Sequence, residues 1–194
     1  MHYALMTCLS EVSFSPLSKC AALVAAAVHD VGHLGVNNAF LISTSHQLAL
    51  QFSDHSPLEM MHAQKAFSLL HSPGCNYMSE MSKEDRTAMR RMIITMVLQT
   101  DNAKHVALLE GFTRLRVSGT LNLEGGEHQL QLLSLTLHSM DVSNVARPWK
   151  ISRKWLELIL IEFYSQGDAE RAADIPVTPM MDRNSNVPLP KFQV

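Results

Sequence analysis

The sequence predicts an all-α protein, and three observations carry that prediction. Serine-proline and serine-acid helix starts recur along the chain, apolar residues return at three- and four-residue spacing, and alternating strand patterns are nearly absent. At 194 residues with 46% hydrophobic and 18% charged residues, the chain reads as one domain with a real core and not as a disordered segment.

The first helix opens at Ser15-Pro16, an N-cap followed by proline at the first helical position, and runs through AALVAAAVHDV to a stop near Gly32. Ser56-Pro57 repeats the device before LEMMHAQKAFSLL, where Leu58, Met61, Ala66, Leu69 and Leu70 approximate one face. Ser82 with Asp85 starts a third helix carrying Met89, Met92, Ile93, Met96 and Val97. Further helices are expected over 102–115, 127–142 and 149–166, with Trp149 and Trp155 anchoring the last against the core. The segment 172–194 holds four prolines and no helical period, which suits a surface loop or an ordered strap.

Charge and cysteine content narrow the function. A net charge of -2 supplies no basic field for a nucleic-acid backbone, so a DNA or RNA partner is not expected. The three cysteines, Cys8, Cys20 and Cys75, lie far apart and suggest a reducing, cytoplasmic location without disulfides. The longest apolar run, Cys20 to Val28, is shorter than the roughly 20 residues a membrane span requires. The start, MHYALMTCL, lacks the basic flank of a secretory signal.

Chemistry concentrates where histidine meets carboxylate. Ten histidines are present, and four positions combine histidine with carboxylates: His29-Asp30, His33, Asp101 with His105, and His138 with Asp141. Imidazole and carboxylate are ligands for divalent ions. An apolar helix that ends in His29-Asp30 has two readings: a dipole-stabilised histidine beside a solvated aspartate, or a ligand pair. In LHSMDVSN a second apolar helix ends similarly, with His138 and Asp141 three apart on one face. Spacing alone leaves both readings open. His46, His55, His62, His71 and His128 read as surface or packing histidines, His105 as structural, and the methionines as core fillers.

Read in order, VHDVGHLGVNNAFL, QFSDHSPLEMMHA, MVLQTDNAKH, LHSMDVSNVARPW, EFYSQGDAER, PMMDRNS and KFQV resemble the successive signature segments of the class I cyclic-nucleotide phosphodiesterases. The resemblance runs from about Ala21 to the last residue. It implies a compact array of helices, a metal hydrolase of the HD kind, around two divalent ions, zinc and magnesium with manganese as a substitute. It also implies hydrolysis of 3′,5′-cyclic AMP, cyclic GMP or both to the 5′-monophosphate.

Carried over residue by residue, the resemblance makes His29, Asp30 and Asp141 metal ligands, with Asp30 bridging both ions. Asp30, His33 and Asp141 would then be catalytic, with His33 hydrogen-bonded around the ion pair. Glu59, Thr100 and Asp101 would hold the metal's waters. Asn144 and Gln193 would meet the purine, and Gln193 could serve adenine or guanine because an amide offers a donor and an acceptor.

The chain also departs from the family pattern. It holds no His-Asn-x-x-His element, whose histidines protonate the leaving oxygen and complete the zinc ligands. Gly32 stands where a second aspartate is usual, Met60-Met61 replace an Asn-His pair, and no purine-stacking phenylalanine follows Gln193. The sequence therefore reads as one partial domain over 1–194, cut at both ends, with apolar faces available for a homo-oligomer or a partner. A catalytically weak fragment that binds nucleotide or dimerises is the competing expectation. A generic His-Asp phosphoesterase is a more distant one.

Overall fold

The computed structural model describes residues 1–184, and among them there is no β-strand. The all-helical expectation holds. Residues sort into two compact units, one formed by Met1–Gly32 with Glu59–Asp141, the other by His33–Leu58 with Val142 onward. No helix among the described residues is long and apolar enough to cross a membrane.

The first unit is built on α1 (Pro16–Val28) and α5 (Lys83–Leu98), which pack along each other. Between them in sequence lie two short helices of the second unit, α2 (Asn38–Ser43) and α3 (Gln47–Gln51), and then α4 (Pro57–Leu70). Ser15 caps α1 as expected, its hydroxyl accepting from the Ser18 N–H at 3.1 Å. Ala21, Ala22 and Ala25 are fully buried, so a face of methyl groups lets α1 approach α5 closely. Opposite, Met89, Ile93, Met96 and Val97 fill the space with almost no exposure. The Ser82 hydroxyl accepts from the Asp85 N–H at 3.0 Å and donates to the Asp85 carboxylate at 2.9 Å, which holds the start of α5.

On α4 the buried face differs from the expected one. Leu58, Met61, Ala63, Phe67 and Leu70 are buried, whereas Leu69 is 53% exposed. After α5, a 3₁₀ turn Asn102–Lys104 leads to α6 (His105–Val117), and α7 (Glu127–Asp141) follows. Leu130, Leu133 and Leu137 of α7 close the same core.

The second unit is organised by α8 (Trp149–Ala172), which runs six residues past the expected end. Trp149 and Trp155 do not anchor it, since they are 71% and 53% exposed. Its C-terminal turns do the anchoring. Gln166 accepts from the Asn37 N–H at 2.8 Å and so fixes the cap of α2. The buried Glu170 carboxylate accepts from Gln166 at 2.8 Å and from the Thr178 N–H and hydroxyl at 2.6 and 2.9 Å. Such a buried acid is tolerable only because donors surround it. Residues 173–184 thus form the expected strap, and Met181 is buried against α8 at Gly167.

Gly167 is the narrowest point. A Cβ built there would lie 2.0 Å from the Met181 carbonyl oxygen. Gly167→Ala should therefore displace the strap and lower stability by about 1–3 kcal/mol in urea unfolding. Unchanged stability would show that the strap adapts at little cost.

Candidate metal and catalytic site

Helix α1 ends at Val28 because the chain turns at His29, and this turn aims the imidazole at the last residue of α7. His29 Nδ1 lies 2.9 Å from the Ala26 carbonyl oxygen, three residues back. Its Nε2 lies 3.0 Å from Asp141 Oδ1 and 3.3 Å from Asp30 Oδ2. Every one of these neighbours is an acceptor. Both ring nitrogens must therefore carry hydrogen, or Nε2 must face a cation in place of a proton.

The electrostatics follow from that arrangement. The His29 pKa is pushed up from 6.5 to about 10, first by the hydrogen bond to Asp141 and then by that to Asp30. Burial pulls the other way and loses. One ligand atom from each of His29, Asp30 and Asp141 lies within 4.8 Å of the others. One imidazole and two carboxylates suit a divalent ion such as zinc, and the carboxylates suit magnesium. The tie from Nδ1 to a backbone carbonyl is the support that leaves Nε2 for a metal.

His62, read from sequence as a surface or packing residue, belongs to the same cluster. It is 1% exposed, its Nδ1 lies 3.0 Å from the Val31 carbonyl oxygen, and its Nε2 lies 3.8 Å from Asp30 Oδ1. Its placement repeats that of His29, with one nitrogen on a backbone carbonyl and the other toward Asp30. A signal was available, because His62 falls four residues after Leu58 on the buried face of α4.

Gly32 closes the turn with φ of +72°, a left-handed backbone where glycine is favoured. A Cβ there would meet only the far end of the flexible Lys65 side chain, so it is the left-handed backbone and not a lack of space that disfavours an aspartate at the position.

The other expected residues are distributed as follows. Glu59 lies in the first turn of α4 and is half-buried. Thr100 is buried just past α5, and its hydroxyl donates to the Val97 carbonyl at 2.8 Å, leaving its oxygen lone pairs as acceptors. Asp101 Oδ1 accepts from the Ala103 N–H at 2.9 Å and caps the following turn. In the second unit, the His33 Nδ1 accepts from the Gly35 N–H at 3.0 Å. Asn144 sits in the 3₁₀ turn Ser143–Ala146. Gln193 lies outside the described residues.

His105 and His138 form a second pair that spacing did not reveal, with Nδ1 and Nε2 2.8 Å apart. His138 is 1% exposed, one turn before Asp141.

The raised His29 pKa has a consequence for stability. In chelator, the imidazolium's contribution is full below pH 6.5 and is lost as pH rises toward about 10. The difference in urea midpoint between the wild-type chain and Asp141→Asn should therefore narrow across that interval. A difference independent of pH would contradict the pairing.

Known proteins are similar to this chain in sequence and fold. Residues 1–194 match the family described as 3'5'-cyclic nucleotide phosphodiesterase. The chain is 38% identical over 190 residues to 3',5'-cyclic-AMP phosphodiesterase 4C of Mus musculus, covering 95% of this chain and 28% of that protein. Identity and both coverages are the same for 3',5'-cyclic-AMP phosphodiesterase isoform F of Drosophila melanogaster. The structure of LmjPDEB1 in complex with IBMX superposes with a TM-score of 0.85 at 37% identity, over 92% of this chain and 54% of that one. The phosphodiesterase domain of the RhoPDE fusion protein from Salpingoeca rosetta gives 0.84 at 32% identity, over 89% and 55%. The chain thus spans 28% of these curated relatives and about half of the solved chains. Sequence, fold and the ordered segments around His29, Asp30 and Asp141 agree: the chain belongs to the 3',5'-cyclic-nucleotide phosphodiesterase family.

Proposed function

We propose that this chain carries the metal-binding part of a phosphodiesterase site that hydrolyses 3′,5′-cyclic AMP, and more weakly or equally cyclic GMP, to the 5′-monophosphate. The observation that carries the proposal is the convergence of His29, Asp30 and Asp141 on one point. The curated relatives at 38% identity are cyclic-AMP phosphodiesterases, which puts cyclic AMP first.

His29 Nε2, Asp30 and Asp141 would hold a first divalent ion, and the Asp30 carboxylate would also serve a second, with zinc and magnesium as the pair. Divalent ions bound there would supply a water of lowered pKa and neutralise charge on the phosphate. The chain's own residues do the positioning. Ala26 pins the His29 ring through Nδ1, and Val31 pins the His62 ring in the same way. His62 Nε2, on the Oδ1 side of Asp30, is placed to hold that carboxylate in orientation. Thr100, Glu59 and Asp101 would supply hydrogen-bonding groups for waters.

A weakly active or inactive nucleotide-binding chain is the second reading. The test is turnover of cyclic AMP and cyclic GMP by the purified chain with zinc, magnesium or manganese, beside Asp141→Ala. Metal-dependent turnover that falls at least ~100-fold in Asp141→Ala supports the proposal. Turnover that survives the substitution contradicts the ligand assignment, and metal binding without turnover supports the second reading.

A further inference from the structure

Helices α5, α6 and α7 line a cleft of about 210 Å³ in the first unit. Thr95 and Gln99 reach it from α5, Gln131 and Ser134 from α7, and Leu108 and Leu130 give it apolar walls. The four polar residues share one property: none makes a side-chain hydrogen bond among the described residues. Ser134 is the sharpest case. It is 1% exposed and its hydroxyl is buried without a partner, although a helical serine has a carbonyl one turn back within reach. A buried hydroxyl in that state is costly unless a group from outside the chain meets it.

The cleft is held in shape by its neighbours. Gln131 Nε2 approaches α6 at Gly111, where a Cβ would lie 3.0 Å away, so the bare backbone there is what admits the amide. One turn from Leu108 and Ser134 on the same two helices, His105 and His138 join α6 to α7 at 2.8 Å. The buried His138 Nδ1 is also without a partner.

The lining selects a ligand by its chemistry. Among the described residues that line the cleft there is no lysine, arginine or histidine, so an anion finds no countercharge. Its one carboxylate, Glu127, is exposed and paired with Arg91, which leaves no free carboxylate for a cation. Two amides and two hydroxyls remain, and each can donate and accept. A cavity of about 150 Å³ takes benzene, so this cleft takes a molecule of roughly ten non-hydrogen atoms.

We propose that the cleft is a binding site for a small neutral amide, held by the Gln99 and Gln131 amides and the Thr95 and Ser134 hydroxyls. An amide meets a glutamine side chain edge to edge, giving one hydrogen bond and taking one, whereas a carboxylate of the same shape has none to give. The apolar body of the ligand lies against Leu108 and Leu130. None of His29, Asp30 and Asp141 lines this cleft, so the site is distinct from the cation cluster.

Proton–nitrogen NMR of the full 194-residue chain tests the proposal, with nicotinamide and acetamide as probes and nicotinate as the charged control. Spectra taken with zinc and magnesium and again in chelator should show the same response, which separates this site from the metal reading. Nicotinamide should shift the side-chain amide signals of Gln99 and Gln131 and saturate at millimolar concentration, while nicotinate binds about tenfold more weakly or worse. Gln131→Leu should weaken nicotinamide about tenfold. Ser134→Ala should weaken it about fivefold and, without ligand, raise the urea midpoint, because an unmet buried hydroxyl is removed. A serine that served only the fold would lower the midpoint when replaced. That lowering overturns the proposal, as do shifts confined to other parts of the chain, equal affinity for nicotinamide and nicotinate, or affinity unchanged in both variants. Silence of the Gln99 and Gln131 signals toward both amides overturns it as well.

Discussion

The arrangement at the site depends on one electrostatic constraint: two carboxylates and a backbone carbonyl surround the His29 imidazole, and all of them demand positive charge from it. Asp141 at 3.0 Å and Asp30 at 3.3 Å leave no neutral form of the ring that satisfies every neighbour. A proton or a metal ion must stand at Nε2. The scaffold exists to maintain this tension. Helix α1 delivers His29 and Asp30 from its C-terminal end, α7 delivers Asp141 from its last residue, and α5 packs against both. The alanine face of α1 matters here, because close approach of α1 to α5 is what a larger side chain would undo.

The support of the site is built by repetition. His29 and His62 each give one nitrogen to a backbone carbonyl, at 2.9 and 3.0 Å, and turn the other toward Asp30. A ring held at one nitrogen presents the other in a fixed direction, which lowers the cost of assembling ligands around an ion. Gly32 then allows the chain to leave the turn with φ of +72°. Its replacement of the family's aspartate is therefore compatible with the local backbone rather than a simple loss of a polar group.

Much of this was legible in the sequence, and the remainder was hidden for identifiable physical reasons. Serine caps and apolar spacing gave α1, α4, α5, α7 and the start of α8, because those signals are local. The ligand set required the order of several segments, since His29 and Asp141 are 112 residues apart and periodicity carries no information across such a distance. His62 was missed because Met60-Met61 interrupt the pattern around it, although its place on an apolar helical face marked it as buried. His105 and His138 were missed for a related reason: a contact between two helices leaves no trace in either one alone. Trp149 and Trp155 failed differently. An apolar stripe shows that a face favours burial, but not that this chain covers it.

The central claim is that His29, Asp30 and Asp141 form one cation site. Anomalous X-ray scattering at the zinc edge, from crystals of the chain grown with zinc, tests it most directly. The account predicts a peak about 2.0–2.2 Å from His29 Nε2 and from carboxylate oxygens of Asp30 and Asp141. A peak at His105 and His138 instead, or none at His29, would contradict it.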